Sequence, residues 1–475
     1  MFDDLRGFLE EVDRIGQLKQ VDGADWNLEI GALTELVSEQ ESYALVFDKI
    51  KGYPEGYRVA TNILQSHVRQ KVSLGFGQEL TDLEIVKQWK DKSTKYKPVP
   101  PVEVKSGPIL ENILTGDKVN ILNFPVPKWH EQDGGRYIGT GCLVITKDPD
   151  ENWVNLGVYR VMVHDKDTLG FYVSPAKHAT IMREKYWARG EDCPVVMCFG
   201  QELILWTIAG MPLPWGVPEL DFAGHMRGKP VEIIKGDITG LPIPSTAEIA
   251  IEGFSKPPSV DGRGEGPFGE WPGYYASGSR IEPVVKIEAI YHRNNPIIHG
   301  QPPIKGESAY PIPLRTAGSL WDALEKAGVQ GIKGVWVYGP SHRIIPVISI
   351  KQIHLGHAKQ VATLAAALFQ GGACLGRWTI VVDDDVDPSN WEEVVWALTT
   401  RCDPEESIDI VRGYLTSPLD PMLSPEKRAR GDFTTAKVII NACKPWHWID
   451  KFPPTNVFSE DIRRKAMSKW KELFI

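Results

Sequence analysis

Apolar residues recur at two different spacings along this chain, and the spacing changes twice. Near the N-terminus Leu5, Phe8, Leu9 and Val12 fall at i, i+3, i+4 and i+7. That is one stripe on a helix, and Gly16 ends it. A second helix is predicted from residue 27 to about 37, with Asp25 or Asn27 near its start. ALVFDKI, residues 44–50, reads as a strand. The tract 95–104 carries Pro98, Pro100 and Pro101 and predicts an extended linker. From residue 137 to about 298 the helical spacing gives way to short β-rich runs: IGTGCLVITKD, WVNLGVYRVMVHD, VEIIKGD, EIAIEGF and EPVVKIEAIYH. Turn residues separate them, which predicts a barrel or sandwich. One helix is predicted inside this region at 176–189, after which EDCPVVMCFG returns to strand. Beyond residue 310 strands and helices alternate: VWVYG, IIPVISI, HAKQVATLAAALFQ ended by Gly371 and Gly372, WTIVVDDDVDP, then NWEEVVWALTTRC. This order predicts a parallel or mixed sheet covered by helices. The last helix is capped by Ser459 with Asp461 in its first turn. Ile462, Ala466 and Trp470 share one face, as a helix docking at a subunit interface would have. The pattern predicts an α/β (α+β) chain of three domains: 1–115, 116–310 and 311–475.

Bulk composition narrows the partners. The 475 residues are 42% hydrophobic and 24% charged, with a net charge of −9, so no phosphate-neutralising surplus exists and nucleic acid is not an expected partner. Sixteen tryptophans are many for this length and fit large cores, interfaces or an aromatic-lined pocket. Cys142, Cys193, Cys198, Cys374, Cys402 and Cys443 form no CxxC pair and read as reduced, mostly buried thiols of a cytoplasmic protein. The acidic, helix-patterned start is not a signal peptide. No uncharged apolar run of about 18 or more residues predicts a membrane span.

Chemistry concentrates in Glu265-Gly266-Pro267-Phe268-Gly269-Glu270. Two glycines and a proline make this a shaped loop rather than helix or regular strand. Two acids on a stiff loop can address one reacting atom in unlike protonation states. A solvated turn that carries two glutamates is the alternative. Arg160 sits in an otherwise apolar run, either as an edge arginine or as a bidentate anion ligand. Asn155 lies five positions before it, which on a regular strand is the opposite face. A late strand start or a bulge at Gly157 is needed to bring the two together. His178 lies near the predicted helix start. Glu232 alternates with apolar neighbours in VEIIKGD and would normally face solvent. Gly134-Gly135 and Gly139-Thr140-Gly141 look faintly phosphate-binding, but no helix follows them as a dinucleotide fold requires. Asp383-Asp384-Asp385 read as a strand-end turn or a cation site, and His447 between Trp446 and Trp448 as packing or an aromatic lid.

The segments DGGRYIGTG, NWVNLGVYRVMVHDK, SPAKHAT, IAGMPLP, VEIIKGD, IEG, EGPFGEWPGYY and IYHRNNPI occur in this order, and in that respect the whole chain resembles the UbiD family. The resemblance implies a reversible non-oxidative decarboxylase of an aromatic, heteroaromatic or α,β-unsaturated acid. It implies an N-terminal α/β domain, a central split β-barrel that binds prenylated FMN, and a C-terminal α/β oligomerisation domain in a homodimer or homohexamer. Mn²⁺ or Mg²⁺ and K⁺ are implied cofactors, a flavin prenyltransferase the implied cofactor supplier, and a small carboxylic acid and CO₂ the implied reactants. Neither a nucleic acid nor a membrane is an expected partner.

Carried over residue by residue, the catalytic network falls on Arg160, Glu265 and Glu270, and the metal ligands on Asn155, His178 and Glu232. Flavin contacts fall on Val158, Tyr159, Ala209, Gly210 and Met211, with Lys177 beside the flavin or its phosphate. The implied reaction runs through a covalent adduct of substrate and prenylated FMN. Glu270 is the proton donor, and Arg160, held by Glu265, takes the substrate carboxylate. Arg160→Lys would not be conservative, because the planar fork is lost. A lysine that some members carry before the C-terminal strand is missing from QGGACLGR, which leaves Lys305 and Arg377 as candidate replacements. The stretches 298–307 and 414–418 are expected to face substrate. His299, Lys305 and Glu307 then favour a heteroaromatic or hydroxylated aromatic acid. Two other classes stay open: a glycosidase with a carboxylate pair in a tryptophan-lined cleft, and a non-catalytic flavin-binding protein.

Overall fold

The computed structural model describes residues 1–40, 43–175, 177–276, 278–306, 310–369 and 376–473. The first helix, Leu5–Arg14, buries Leu5, Phe8, Leu9 and Val12 and is capped by Asp4, whose carboxylate accepts from the Gly7 amide at 2.8 Å. Its apolar stripe packs in one cluster with Ala44, Val46, Ala60, Ile63 and Leu64. Phe8→Ala should therefore lower unfolding stability by about 3–5 kcal/mol, read as a shift in denaturant midpoint. A midpoint equal to wild type would mean that this helix does not seal the N-terminal core.

The second helix, Glu29–Gln40, starts later than predicted. Asn27 bridges to Lys128, and Leu28 takes a left-handed backbone with φ 74°. The N-terminal sheet holds Leu18–Asp22, Ala44–Asp48 and Arg58–Thr61, and its last place is filled by Ile297–His299 from far along the chain. Helix Asp82–Thr94 was not predicted. It is fixed by a capping box in which Thr81 and Glu84 satisfy each other's backbone amides.

The central sheet is a half-barrel of antiparallel strands. Its spine is the long strand Arg280–His292, which pairs with Thr168–Gly170, Ile249–Ser255, Gly262–Glu265 and Asn112–Thr115. Residues 112–115, placed in the N-terminal domain by the sequence reading, thus belong to this sheet. Helix His178–Ala188 interrupts the strands near the predicted place. Two further helices, Leu203–Ala209 and Glu219–Arg227, were not predicted. Every residue of Leu203–Ala209 is buried, so it lacks the one-sided pattern that marks a helix in sequence.

The C-terminal sheet is mixed, in the order Ile332–Tyr338, Ile345–Ile350, Trp378–Asp383, Thr434–Ala442, Ile408–Leu415. One apolar cluster runs from Val86 and Trp89 through Leu205 and Ile208 to Trp321 and Trp336, joining helices of all three regions around a cavity. Asp383 and Asp385 both receive Arg401, and Asp385 also receives Lys444, so this acidic turn is neutralised within the chain. Trp448 stacks on Phe452. Helix Glu460–Lys469 is capped by Ser459 and is exposed throughout. Cys142, Cys193, Cys198, Cys402 and Cys443 are free thiols. Gly371, Gly372, Cys374 and Glu307 lie outside the described residues. Among the described residues no helix is long and apolar enough to cross a membrane.

Candidate active site

The cavity encloses about 1170 Å³ between the half-barrel and the C-terminal domain. Arg160 reaches its wall because the strand ends early. Val154–Gly157 is one strand and Val161–Asp165 the next. Residues 158–160 between them are free of the strand's alternation, so Asn155 and Arg160 both line the cavity.

Glu265 is the last residue of strand Gly262–Glu265, so one of the two acids stands on regular structure after all. The chain then turns sharply at Gly266, with φ 86° and a cis bond to Pro267. Neighbours hold this turn from several sides. The Gly134 amide donates to the Pro267 carbonyl at 2.8 Å, and the Gly269 amide to Asp133 at 3.1 Å. A Cβ on Gly134 would fall 2.1 Å from the Gly266 carbonyl oxygen. That glycine therefore serves close backbone packing and not phosphate binding. Phe268 rests on Tyr137 at 4.4 Å between ring centres.

The result is a buried three-member network. Arg160 Nη2 donates to Glu265 Oε2 and Arg160 Nη1 to Glu270 Oε1, both at 2.6 Å. Tyr137 donates to the other Glu265 oxygen at 3.1 Å, and Tyr172 lies 4.1 Å under the guanidinium. The three residues retain exposures of only 4%, 1% and 9% for Arg160, Glu265 and Glu270. Glu270 and Arg160 line the cavity and Glu265 stands behind them. Burial pushes the Glu270 carboxyl above its ordinary range. The Arg160 charge opposes that rise, and the Glu265 charge adds to it. Burial works against the Arg160 charge too, but the two carboxylates outweigh it and hold the guanidinium protonated. The carboxyl on the cavity wall is thus the one whose burial favours its protonated form.

A second group of donors lines the same cavity. His178, the first residue of its helix, has Nδ1 3.1 Å from Asn155 Oδ1. It is wedged edge-on between Trp153 at 5.5 Å and Trp215 at 5.3 Å. Burial, then the charge of Lys177, lowers its pKa and keeps the ring neutral. Glu219 lines the cavity with Asn155 and His178, and Glu232 does not. Glu232 is exposed on a separate three-stranded sheet, paired with Val102, and does not line the cavity. Glu219 lines it from the first position of helix Glu219–Arg227 and accepts the Leu156 amide at 2.9 Å. Burial pushes Glu219 up to about 8, a desolvation cost that a divalent cation would reverse. An amide oxygen, a neutral imidazole and a carboxylate fit a hard divalent ion.

Val158, Tyr159, Lys177, Ala209, Gly210 and Met211 all line the cavity. The expected substrate wall is less polar than its residue types implied. His299 is fully buried against Trp206 and held neutral, its pKa forced down to about 3, and it does not line the cavity. Lys305 is exposed, and Arg377 is paired with Asp420; neither lines the cavity. Gln301, Tyr310, Arg315 and Arg343 are among the polar groups that do, together with Thr316, Ser319 and Asp322.

Comparison with known proteins agrees with this architecture. Residues 9–92, 101–305 and 313–442 match the N-terminal, Rift-related and C-terminal domains described for 3-octaprenyl-4-hydroxybenzoate carboxy-lyase. The pyrrole-2-carboxylic acid decarboxylase of Pseudomonas aeruginosa is 30% identical over 99% of this chain and 98% of its own. The open form of the vanillic acid decarboxylase of Sedimentibacter hydroxybenzoicus superposes with a TM-score of 0.86 at 31% identity, covering 100% of this chain and 99% of the other. The UbiD-class enzyme HmfF of Pelotomaculum thermopropionicum, solved in complex with FMN, gives 0.84 at 26% identity, covering 97% and 98%. An evolved dimeric form of HmfF is solved in complex with prenylated FMN. The fold is that of a three-domain carboxy-lyase. The chain belongs to the UbiD family, and it is a decarboxylase of that type.

Proposed function

We propose that this protein reversibly decarboxylates an aromatic or heteroaromatic carboxylic acid in the cavity beside Arg160, with Glu270 as the proton donor. The observation that carries the reading is the buried Arg160 shared between Glu265 and Glu270 at 2.6 Å each. A carboxylate-pair glycosidase would need its two acids free on either side of a sugar, and here both are committed to one guanidinium. Arg160 would receive the substrate carboxylate through its planar fork. Glu265 and Tyr137 would hold that fork in place. Glu270, already biased towards its protonated form, would deliver a proton to the carbon that loses CO₂.

Prenylated FMN would supply the electron-accepting ring that stabilises the carbanion, through a covalent bond to substrate. Its contacts would be the backbone at Val158, Tyr159 and residues 209–211, with Lys177 near its phosphate. Mn²⁺ or Mg²⁺ would be held by Asn155, His178 and Glu219. K⁺ remains part of the proposal without an assigned residue set. The exposed face of Ile462, Ala466 and Trp470 is offered as the contact of a homodimer or homohexamer.

The test is CO₂ release from a panel of aromatic and heteroaromatic acids, using holoenzyme made together with a flavin prenyltransferase. Release from at least one ring acid, with the matching decarboxylated product, is expected. A flavin-loaded protein that releases no CO₂ and exchanges no product proton with solvent would be a binding protein instead.

A further inference from the structure

Two arginines that the network around Arg160 does not use line the same cavity. Arg315 is the second residue of helix Leu314–Lys326. Arg343 lies on the turn between strands Ile332–Tyr338 and Ile345–Ile350. The Arg315 guanidinium sits 4.3 Å from the centre of the Tyr310 ring, which stacks on Trp206. A Cβ on Gly210 would fall 1.8 Å from Arg315 Nη1, so this side chain reaches in beside residues 209–211. The Arg343 guanidinium sits 5.0 Å from the centre of the Trp271 ring, on the residue after Glu270. Among the described residues neither arginine forms an ion pair, whereas Arg160 and Arg377 both do.

The helix that carries Arg315 adds positive potential at its start, while Asp322 further along it lines the same cavity and the Glu270 charge acts on Arg343. Helix Leu314–Lys326 begins at Pro313 with no side-chain cap and no acid in its first turn, and Arg315, Thr316 and Ser319 from it line the cavity. Its N-terminus therefore presents unneutralised partial positive charge. The turn that delivers Arg343 is strained. Ser341 and His342 both have φ 51°, after Gly339 at 87°, a conformation that non-glycine residues hold only where their surroundings enforce it. His342 is pinned by Val337, its Nδ1 lying 2.7 Å from that carbonyl oxygen, and burial keeps the ring neutral. Burial first, and then the nearby Arg315 charge, lower Arg343 to about 10 against the opposing charge of Glu270, which leaves Arg343 charged at neutral pH. Like charges facing one cavity favour an anion placed between them.

We propose that Arg315 and Arg343 form a second anion subsite, and that the substrate is an aromatic or heteroaromatic diacid held there by the carboxylate it keeps. This rests on the reading in which the other carboxylate leaves at Arg160. Arg343 also acts on Lys177, offered above as the phosphate contact, and its packing beside Glu270 decides for substrate. Arg343 packs on Trp271 and senses the charge of Glu270, at the end of the cavity where the proton is delivered.

The test compares matched acids on holoenzyme: pyrrole-2-carboxylate against pyrrole-2,5-dicarboxylate, and benzoate against isophthalate. Rates of CO₂ release are paired with equilibrium dialysis of the same acids. Wild type should prefer the diacid by at least about tenfold in kcat/KM, as expected where buried donors lose their partner in the monoacid. Arg315→Gln and Arg343→Gln should each remove most of that ratio, Arg315→Lys less of it, with flavin content held at the wild-type level. A ratio that the glutamine variants leave unchanged overturns the subsite. Loss of flavin in step with the ratio also overturns it and assigns the arginines to the cofactor phosphate. Monoacid turnover without diacid preference removes the subsite and leaves the reaction standing. Tight diacid binding that depends on Arg315, without CO₂ release from any acid, does the reverse.

Discussion

Glu270→Gln is expected to lower kcat for CO₂ release by about 10²–10⁴-fold, the range set by loss of a positioned general acid. Flavin content should stay at the wild-type level. The amide keeps the shape of the side chain and an oxygen to accept from Arg160 Nη1, a contact of 2.6 Å in the native network. It removes the proton that the carboxyl carries. Burial raises Glu270, and Glu265 adds to that rise against the pull of Arg160, so the native group holds its proton further towards neutral pH than a free carboxyl. The sign of the pH effect follows. Wild-type kcat should fall as pH rises through the raised Glu270 value, and the variant's residual rate should lack that alkaline limb. Exchange of solvent deuterium into added decarboxylated product should be fast with the wild type and slowed in step with kcat in the variant. A fully active Glu270→Gln enzyme would move the proton-donor role to another group.

The residue types of this network were readable in the sequence, but only the family resemblance paired them. Arg160 stands 105 positions from Glu265 and 110 from Glu270, and no periodicity links such distances. The obstacle between Asn155 and Arg160 was correctly posed by strand alternation, and a strand that ends at Gly157 removes it. Glu232 teaches the opposite lesson. Its alternation with apolar neighbours pointed to solvent, and it is exposed; only the carried-over resemblance made it a ligand. Glu219 was available in the chain as the acid opening a helix just after the proline-rich run 212–218. That helix was missed because it lies among strands and is short. His299 misled in a related way. Its polarity was read as a cavity wall, whereas burial makes it a neutral core group. The cations that do reach the cavity, Arg315 and Arg343, sit on a helix start and a strained turn. Neither position carries a pattern in sequence.

Glu219→Gln is expected to yield protein retaining at most about a tenth of the wild-type metal and flavin, since loss of even a supporting group around a metal costs about 10–100-fold in affinity. Glu232→Gln should retain both. The contrast follows from where the two carboxylates lie. Glu219 is buried beside the donors Asn155 and His178, and it carries a desolvation cost that raises it to about 8. A charge held there would be stabilised by a cation, because burial outweighs the backbone hydrogen bonds that favour it, from Leu156 at 2.9 Å and from its own amide. Glutamine keeps the hydrogen bond and removes the charge, so the fold should survive while the cation, and the phosphate it would anchor, are lost. His178→Ala should behave like Glu219→Gln, because it removes the only imidazole of the donor set. Metal analysis and the flavin absorbance of purified protein decide the matter without any activity assay. Normal metal and flavin in Glu219→Gln, with depletion in Glu232→Gln, would return the carboxylate ligand to Glu232. That outcome would require the three-stranded sheet holding Glu232 to close onto the cavity in the loaded enzyme.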